Sequence, residues 1–484
     1  MELTLAEIAG ISGGTLHGLG GMKPRALALD SRLVEEGDLF AALRGERTDG
    51  HLFLNQARQR GAMAALVEET TSVRPEGLAL IIVPSCPDAL LSLATALRDR
   101  FKGPVVAITG TAGKTTTKEM VALLLESAGS VLKSEGNWNT ELGLPLALSF
   151  LTPAHRFLVQ EVGLQKPGDV RLLGRLLRPT TAVITEIGPA HLEYLGSVER
   201  ILEEKWELVL SLVPGGFAVL NADNVLLRSR KGEIPNALWY GLEEPADFRS
   251  LEIRLEGGDT WLTVATPFGE GQFRLPFVGD HLLRDFLASL AVALPLGLSL
   301  EQAGNRIAHF QLPQGRGSLV ERDGITWVDD SYNANPTSTE AALAAFCRRA
   351  TGRRLVVLGD MLELGESAAT LHRSLGQSIP VGCECLFLLG DLSRHTAKGA
   401  LENGYPLEKV RHFETMESLQ ESLRSTLHPG DWVLLEGSRG MQLEKILEEG
   451  AIGPRQDDSS RWLDSPRQLD SPRQLDSPRQ GVLK

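Results

Sequence analysis

Residues 105–116 read VVAITGTAGKTT. The uncharged residues 105–109 have the pattern of a buried strand, Gly110-Thr111-Ala112-Gly113-Lys114-Thr115-Thr116 forms a loop, and residues 115–128 carry a helical pattern. A strand that runs through a glycine-containing loop into a helix N-terminus is a phosphate-binding device. Its free backbone N–H groups face an anion, Lys114 can reach the β and γ phosphates, and the Thr115 hydroxyl can ligate Mg²⁺. The spacing is tighter than in the common form of this loop, since Ile108 rather than glycine stands five residues before Gly113. A plain strand-to-helix turn has little use for G-x-x-G-K-T-T, so nucleotide binding is the favoured reading.

Two more buried strands, 157–160 and 182–185, alternate with helical segments after this loop, the pattern of a parallel, doubly wound sheet. Before it, residues 1–101 alternate apolar runs (62–67, 78–83) with helical stretches such as 52–60. A further alternating block opens near Arg316, with strands at 325–328, 355–358, 386–389 and 432–435 and helices at 338–349 and 367–378. The chain is therefore α/β throughout, in three domains expected at 1–102, 103–313 and 314–455, which 484 residues accommodate at roughly 150 per domain. Residues 456–484 contain LDSPRQ three times in succession and are expected to form a disordered tail.

The net charge of −13 argues against a broad footprint for nucleic acid or an anionic membrane, so anionic ligands need local devices such as helix N-termini, single lysines or metal ions. The uncharged run from Phe286 to Leu300 spans 15 residues and contains Pro295, too short to cross a bilayer. The opening MELTLAEIAGISGG lacks the basic and apolar regions of a secretory signal, and four cysteines are too few for a disulfide framework. A reducing cytoplasm fits best. Cys383 and Cys385 form a lone C-x-C with no second pair nearby and read as free thiols rather than a metal site.

Glu161 ends one strand of the central block, and His191 and Lys114 follow two others, so all three should project at the carboxyl edge of one sheet, where open α/β folds bind ligands. Carboxylate and imidazole there are reasonable Mg²⁺ ligands, imidazole being the less usual. Over residues 196–212, Val198, Ile201, Leu202, Leu208 and Leu212 mark an apolar stripe on which Lys205 also falls. Lys205 should point inward, either snorkelling to Glu203 or Glu204 or facing a metal site, where its ammonium would have reason to be chemically altered. In the third block Asp329-Asp330-Ser331-Tyr332-Asn333-Ala334-Asn335-Pro336 places two carboxylates and two amides at one strand end. Arg316, in Gln314-Gly315-Arg316-Gly317, could swing onto a bound phosphate.

These residues resemble the Mur ligase family, ATP-dependent amide-forming enzymes of bacterial cell-wall synthesis, over about residues 25–450. The resemblance rests on Asp30-Ser31-Arg32, GDLFAALRGERTDGH (37–51), GTAGKTT, Glu161-Val162-Gly163 and TEIGPAHLEYLGS (185–197). DDSYNANP and LGDMLELGESAATLH (358–372) look like the members that join D-alanyl-D-alanine to UDP-N-acetylmuramoyl-tripeptide. The resemblance implies a small N-terminal α/β domain holding the UDP substrate, a central P-loop ATPase-like domain holding ATP and Mg²⁺, and a C-terminal Rossmann-like domain holding the amine. It implies roles residue by residue. Ser31 and Arg32 would contact UDP. Gly110, Thr111, Ala112, Gly113, Lys114, Thr115, Thr116, Asp285, Arg316 and Asp330 would contact ATP. Thr115, Glu161, His191 and a carbamylated Lys205 would serve Mg²⁺, and Lys114, Glu161, His191 and Lys205 catalysis. Asn333, Asn335, Ser438 and Arg439 would meet the amine substrate.

Three positions depart from the family pattern: Asp285 and Thr140 stand where asparagine is usual, and Glu436 where lysine is usual. An ionised Asp285 could accept from an adenine amino group but could not donate to a ring nitrogen. The expected protein is a cytoplasmic monomer active in peptidoglycan synthesis. The alternatives are another ligase of the superfamily, such as one extending folate with glutamate, and a non-catalytic nucleotide-binding scaffold.

Overall fold

The structure is a computed structural model describing residues 1–45, 48–69 and 73–448. The expected tail at 456–484 and the end of the third block lie outside the described residues. Val105–Thr109, buried at every position, runs inside a nine-stranded sheet between Phe157–Glu161 and Thr181–Ile184, parallel to both. Val131–Lys133 continues the sheet on one side. Phe217–Asn221, Ala237–Gly241 and Phe248–Glu256 continue it in parallel on the other.

Asp259–Thr266 and Gly269–Leu275 then return antiparallel. This meander does not figure in the sequence expectation, although Leu251-Glu252-Ile253-Arg254-Leu255-Glu256 has the period-two alternation of a strand. Lys114–Leu125 and Asp280–Ala293 cover one face of the sheet, packing Met120, Val121 and Leu124 against Phe286, Leu287 and Leu290 in one buried cluster. Asp169–Leu177 and Val198–Leu210 cover the other.

The expected helix ends shift where caps intervene. The helix expected over 196–212 is Val198–Leu210, because the Ser197 hydroxyl accepts from the Arg200 N–H and starts it there. The stretch 52–60 divides into a 3₁₀ turn, Gly50–Phe53, and a helix, Leu54–Gln59.

The first five strands form a separate sheet, parallel from Leu27–Ala28 through Leu39–Ala41 and Ala64–Glu68 to Ala79–Val83, with Thr15–His17 antiparallel at its edge. A third sheet of six strands pairs Ser318–Arg322 antiparallel to Ile325–Asp330. Trp432–Glu436, Arg354–Gly359, Cys385–Leu389 and Val410–Phe413 follow in parallel. Among the described residues no helix is long and apolar enough to cross a membrane.

Arg98 fastens the first unit to the second. It lies on Cys86–Arg100, is 8% exposed, and its guanidinium donates to the carbonyls of Leu177, Phe101 and Arg178. Leu177 ends the helix Asp169–Leu177, so Arg98 satisfies carbonyls that have no partner within that helix. Arg98→Ala should strand these acceptors and cost roughly 2–4 kcal/mol in a chemical denaturation series. A loss within about 0.5 kcal/mol of zero would contradict this role.

Candidate active site

The carboxyl ends of Val105–Thr109, Phe157–Glu161 and Thr181–Ile184 open onto one edge of the central sheet, where the loop 110–113 curls over them. Two glycines make that curl possible. A Cβ on Gly110 (φ +155°) would stand 2.0 Å from Thr185 Oγ1, and one on Gly113 (φ +80°) 2.4 Å from Asp285 Oδ1. The Thr111 N–H donates to Glu186 O at 2.9 Å, and the Thr185 hydroxyl donates to the carbonyls of Thr109 and Ala112. No side chain caps Lys114–Leu125, which leaves the N–H groups of its first turn facing the crevice.

Lys114 Nζ donates to Gly110 O at 2.9 Å. Desolvation lowers its pKa, with Arg316 adding to the effect and Glu161 opposing it. Lys205 is 1% exposed, and among the described residues its hydrogen-bond contact is the Thr109 hydroxyl at 3.5 Å. That hydroxyl already donates to Val162 O. Burial, then repulsion from Lys114, holds the Lys205 ammonium well below the ordinary lysine range. The snorkelling alternative does not occur: Glu203 pairs with Arg230, and Glu204 accepts from the N–H groups of Gly168 and Val170.

The nearby carboxylate, Glu161, accepts from the Thr115 hydroxyl and from the Asn139 amide, each at 2.8 Å. Asn139 has no place in the sequence expectation, although it belongs to the segment that contains Thr140. Thr140 accepts from the Gly143 N–H at 3.2 Å and so helps start the helix Gly143–Ser149, a task its hydroxyl performs as an amide would.

The third block closes the crevice. Arg316 reaches within 3.5 Å of Thr115 Oγ1, with its guanidinium 4.2 Å from the centre of the Tyr332 ring. It lines two cavities. One, of about 130 Å³, includes Gly113, Glu186, Asn221, Asp285 and Asp330. The other, of about 390 Å³, includes Lys114, Asn139, Glu161, His191, Lys205 and Asn333. His191, at φ 53°, places Nδ1 2.6 Å from Glu363 Oε2 of the third block, and the Glu193 N–H donates to Glu363 O. Glu363 lies in the run 358–372, but pattern alone gives no sign of its partner.

Asp285 is 6% exposed and accepts from the Thr117 hydroxyl at 3.0 Å. Burial pushes its acid well above the ordinary range, with Glu186 adding to the shift against Thr117 and Arg284. This shift favours the neutral acid, which donates as well as accepts, over the ionised form for which only acceptance was expected.

Asn335 is a helix cap in this structure. Its Oδ1 accepts from the Ser338 N–H and its Nδ2 donates to Thr111 O at 3.3 Å, so its amide holds the phosphate loop rather than facing the larger cavity. Asn333 Oδ1 accepts from the Arg439 N–H, the Arg439 side chain pairs with Glu444, and the Ser438 hydroxyl accepts from the Leu362 N–H and donates to Ala334 O. Ser31 and Arg32 line neither cavity: the Ser31 hydroxyl donates to Gln56 Oε1, and exposed Arg32 pairs with Asp30.

Three family models match the chain: the Mur ligase family catalytic domain at residues 25–101, the Mur ligase middle domain at 108–293 and the Mur ligase glutamate ligase domain at 315–439. The UDP-N-acetylmuramoyl-tripeptide–D-alanyl-D-alanine ligase of Bacillus subtilis is 33% identical over 426 residues, 87% of this chain and 92% of its own length. Its counterpart in Escherichia coli is 31% identical over 92% of this chain and 98% of its own length. Among solved structures, MurF from Acinetobacter baumannii superposes with a TM-score of 0.82 at 28% identity, covering 92% of this chain and 98% of that one. MurF from Thermotoga maritima in complex with ADP gives 0.76 at 31%, covering 87% and 96%. Sheet order and crevice define a nucleotide-binding α/β enzyme of several domains. The chain belongs to the Mur ligase family.

Glu436, the third departure, neighbours Asp330 in parallel register and is 1% exposed. Among the described residues its Oε2 has no partner. Burial pushes Glu436 well above the carboxylate range, repulsion from Asp330 adds to this, and burial raises Asp330 to about 7 against the pull of Arg316. Folded Glu436 therefore keeps a proton that the unfolded chain releases near pH ~4.3. The stability from this neutral acid is full below that pH and is lost as pH rises toward the folded value. Glu436→Gln should melt like the parent near pH ~4 and increasingly above it as the pH is raised from there. Parallel melting profiles over that range would contradict a protonated Glu436.

Proposed function

We propose that this chain is an ADP-forming ligase that uses ATP to join D-alanyl-D-alanine to UDP-N-acetylmuramoyl-tripeptide, yielding the muramoyl-pentapeptide precursor of peptidoglycan. The observation that carries the reading is the convergence of the loop 110–116, Lys114, Glu161 and Lys205 with Arg316 from the third block around one crevice. Near-full-length similarity to ligases of that name supports it. We assign the UDP substrate to residues 1–102 with Ser31 and Arg32, ATP to 103–313, and the amine to 314–455, working as a cytoplasmic monomer.

The loop N–H groups and Lys114 would hold the β and γ phosphates, with Arg316 reaching them from the other side. Asp330 would face the ribose. Neutral Asp285 would both accept from the adenine amino group and donate to a ring nitrogen. The tripeptide carboxylate attacks the γ-phosphorus and ADP leaves. The dipeptide amine then attacks the resulting acyl phosphate and inorganic phosphate is released. Lys114 and Arg316 stabilise the charge that builds on the transferring oxygens. Asn333, Ser438 and Arg439 would receive the dipeptide. Asn335 would act indirectly, through its hold on Thr111.

The residues present suit a magnesium ion. The Thr115 hydroxyl and the Glu161 carboxylate meet at 2.8 Å beside the first turn of Lys114–Leu125, oxygen donors of the kind Mg²⁺ takes. Thr115 and Glu161 would bind it directly, with His191 alongside. Mg²⁺ supplies charge neutralisation at the phosphates. A carbamate also suits Lys205: its ammonium is buried, weakly hydrogen-bonded and repelled by Lys114. Carbamylation would turn that misplaced cation into an anion able to support a second Mg²⁺.

Phosphate release measured against a panel of UDP-muramoyl peptides and folate substrates tests the reading. Turnover should require the UDP-muramoyl-tripeptide together with D-alanyl-D-alanine. Turnover with folate and glutamate instead would assign a sister activity, and no turnover a scaffold. Lys114→Ala should abolish ligation while leaving the melting curve nearly unchanged, and ATP-dependent product from the folded variant would refute the role of Lys114. Lys205→Ala should lose most activity and regain part of it when a short carboxylic acid is added, since the acid can restore negative charge beside Mg²⁺. Full activity without added acid would exclude a carbamate.

A further inference from the structure

Cys347 and Cys383 belong to the third sheet's helical layer, outside the nucleotide crevice. Cys347 lies near the end of the helix Pro336–Arg349, and Cys383 stands two residues before the strand Cys385–Leu389. Their sulfurs are 4.0 Å apart. Cys347 is partly exposed, whereas Cys383 is buried among Leu386, Ala400 and Tyr405. A hydroperoxide can therefore reach one thiol while the other waits behind it.

The backbone around both sulfurs is held. The Tyr405 hydroxyl donates to Cys383 O at 2.8 Å, and Arg354 donates to Cys347 O at 3.4 Å and to Gly382 O at 3.3 Å. Arg354 thus ties the two cysteine-bearing segments together and sets a positive charge beside them. The hydrogen bond from Cys383 and the charge of Arg354 hold the Cys347 thiol down to about 7, against the opposing effect of burial. Cys383 is pushed the other way by Cys347 and by burial. An attacking thiolate and a resolving thiol are the two parts that peroxide-driven disulfide formation requires.

The other two cysteines lack this arrangement. Cys86 is fully buried and its thiol is pushed up to about 12 by desolvation. Cys385 is buried on the opposite side of the sheet, with Phe387 and Leu389. We infer that Cys347 and Cys383 form a reversible oxidation site at which a hydroperoxide produces an intramolecular disulfide.

The Cys347 thiolate attacks one oxygen of hydrogen peroxide, the O–O bond breaks, hydroxide leaves, and Cys347 becomes a sulfenic acid. The Cys383 sulfur then attacks the Cys347 sulfur and displaces hydroxide, which leaves as water with the Cys383 proton. Two thiols are oxidised and one peroxide is reduced to two waters. The sulfurs must close from 4.0 Å to about 2.05 Å, a movement that side-chain rotation at the end of a helix can supply. The modified helix is the one whose first turns, at Thr337, Ser338 and Ala341, line the smaller cavity.

The test treats the full chain with near-stoichiometric hydrogen peroxide, alkylates it under denaturing conditions and maps the peptides. Cleavage after Glu384 separates Cys383 from Cys385. The expected product is a Cys347 peptide joined to a Cys383 peptide, two hydrogens lighter than the reduced pair and separated again by dithiothreitol, with Cys86 and Cys385 alkylated. In Cys383→Ser the reaction should stop at a dimedone-reactive sulfenic acid on Cys347. In Cys347→Ser, Cys383 should stay alkylatable. A link to Cys385 or Cys86, a link between chains, or over-oxidation of Cys347 without a link in the unsubstituted chain would overturn the inference.

Discussion

Two lysines converge on a single buried corner of the central sheet, and the rest of the site depends on that constraint. Lys114 and Lys205 repel each other closely enough to perturb Lys205, Arg316 adds a third cation from the neighbouring block, and Glu161 is the carboxylate that faces them. Removing charge from water is expensive unless opposite charge accompanies it. A corner with this balance is stable when anions enter it. In the proposed reading, phosphate oxygens would answer Lys114 and Arg316, and a carbamate would answer the problem at Lys205 by changing its sign. The net charge of −13 over the whole chain makes this local excess of positive charge more telling.

The same constraint explains why the crevice needs two blocks. The loop 110–113 can cradle phosphate with its own N–H groups, but its outer side is finished by the third block. Arg316 approaches Thr115, Asn335 donates to Thr111 O, and Glu363 engages His191. Arg348 pairs with Asp280 farther out. Each of these contacts is polar, as is common at interfaces between domains of one chain. The buried acids Asp285 and Glu436 and the partly exposed Asp330 sit on this seam. Desolvation raises each of them and so shifts it toward its neutral form.

What the sequence disclosed and what it hid divide along a physical line. The strand–loop–helix passage at 105–116 was legible because it is written in consecutive residues, and the inward position of Lys205 because a helical period places it on an apolar stripe. The parallel core followed from short apolar strands alternating with helices. Glu363 as partner of His191, Asn139 as partner of Glu161, and Asn335 as a cap tied to Thr111 could not be read, since each pairing is made between segments distant in sequence. The upward shift of Asp285 was hidden for a related reason. Its environment comes from Thr117, Glu186 and Arg284, which lie together once three elements have packed.

The central claim is that the charge at this corner is corrected at Lys205, and the direct measurement is ¹³C NMR of the enzyme equilibrated with ¹³C-bicarbonate. One carbamate resonance is expected in the active protein, absent from Lys205→Ala and present in Lys114→Ala. An active enzyme that shows no such resonance at saturating bicarbonate, or one that persists in Lys205→Ala, would contradict that claim.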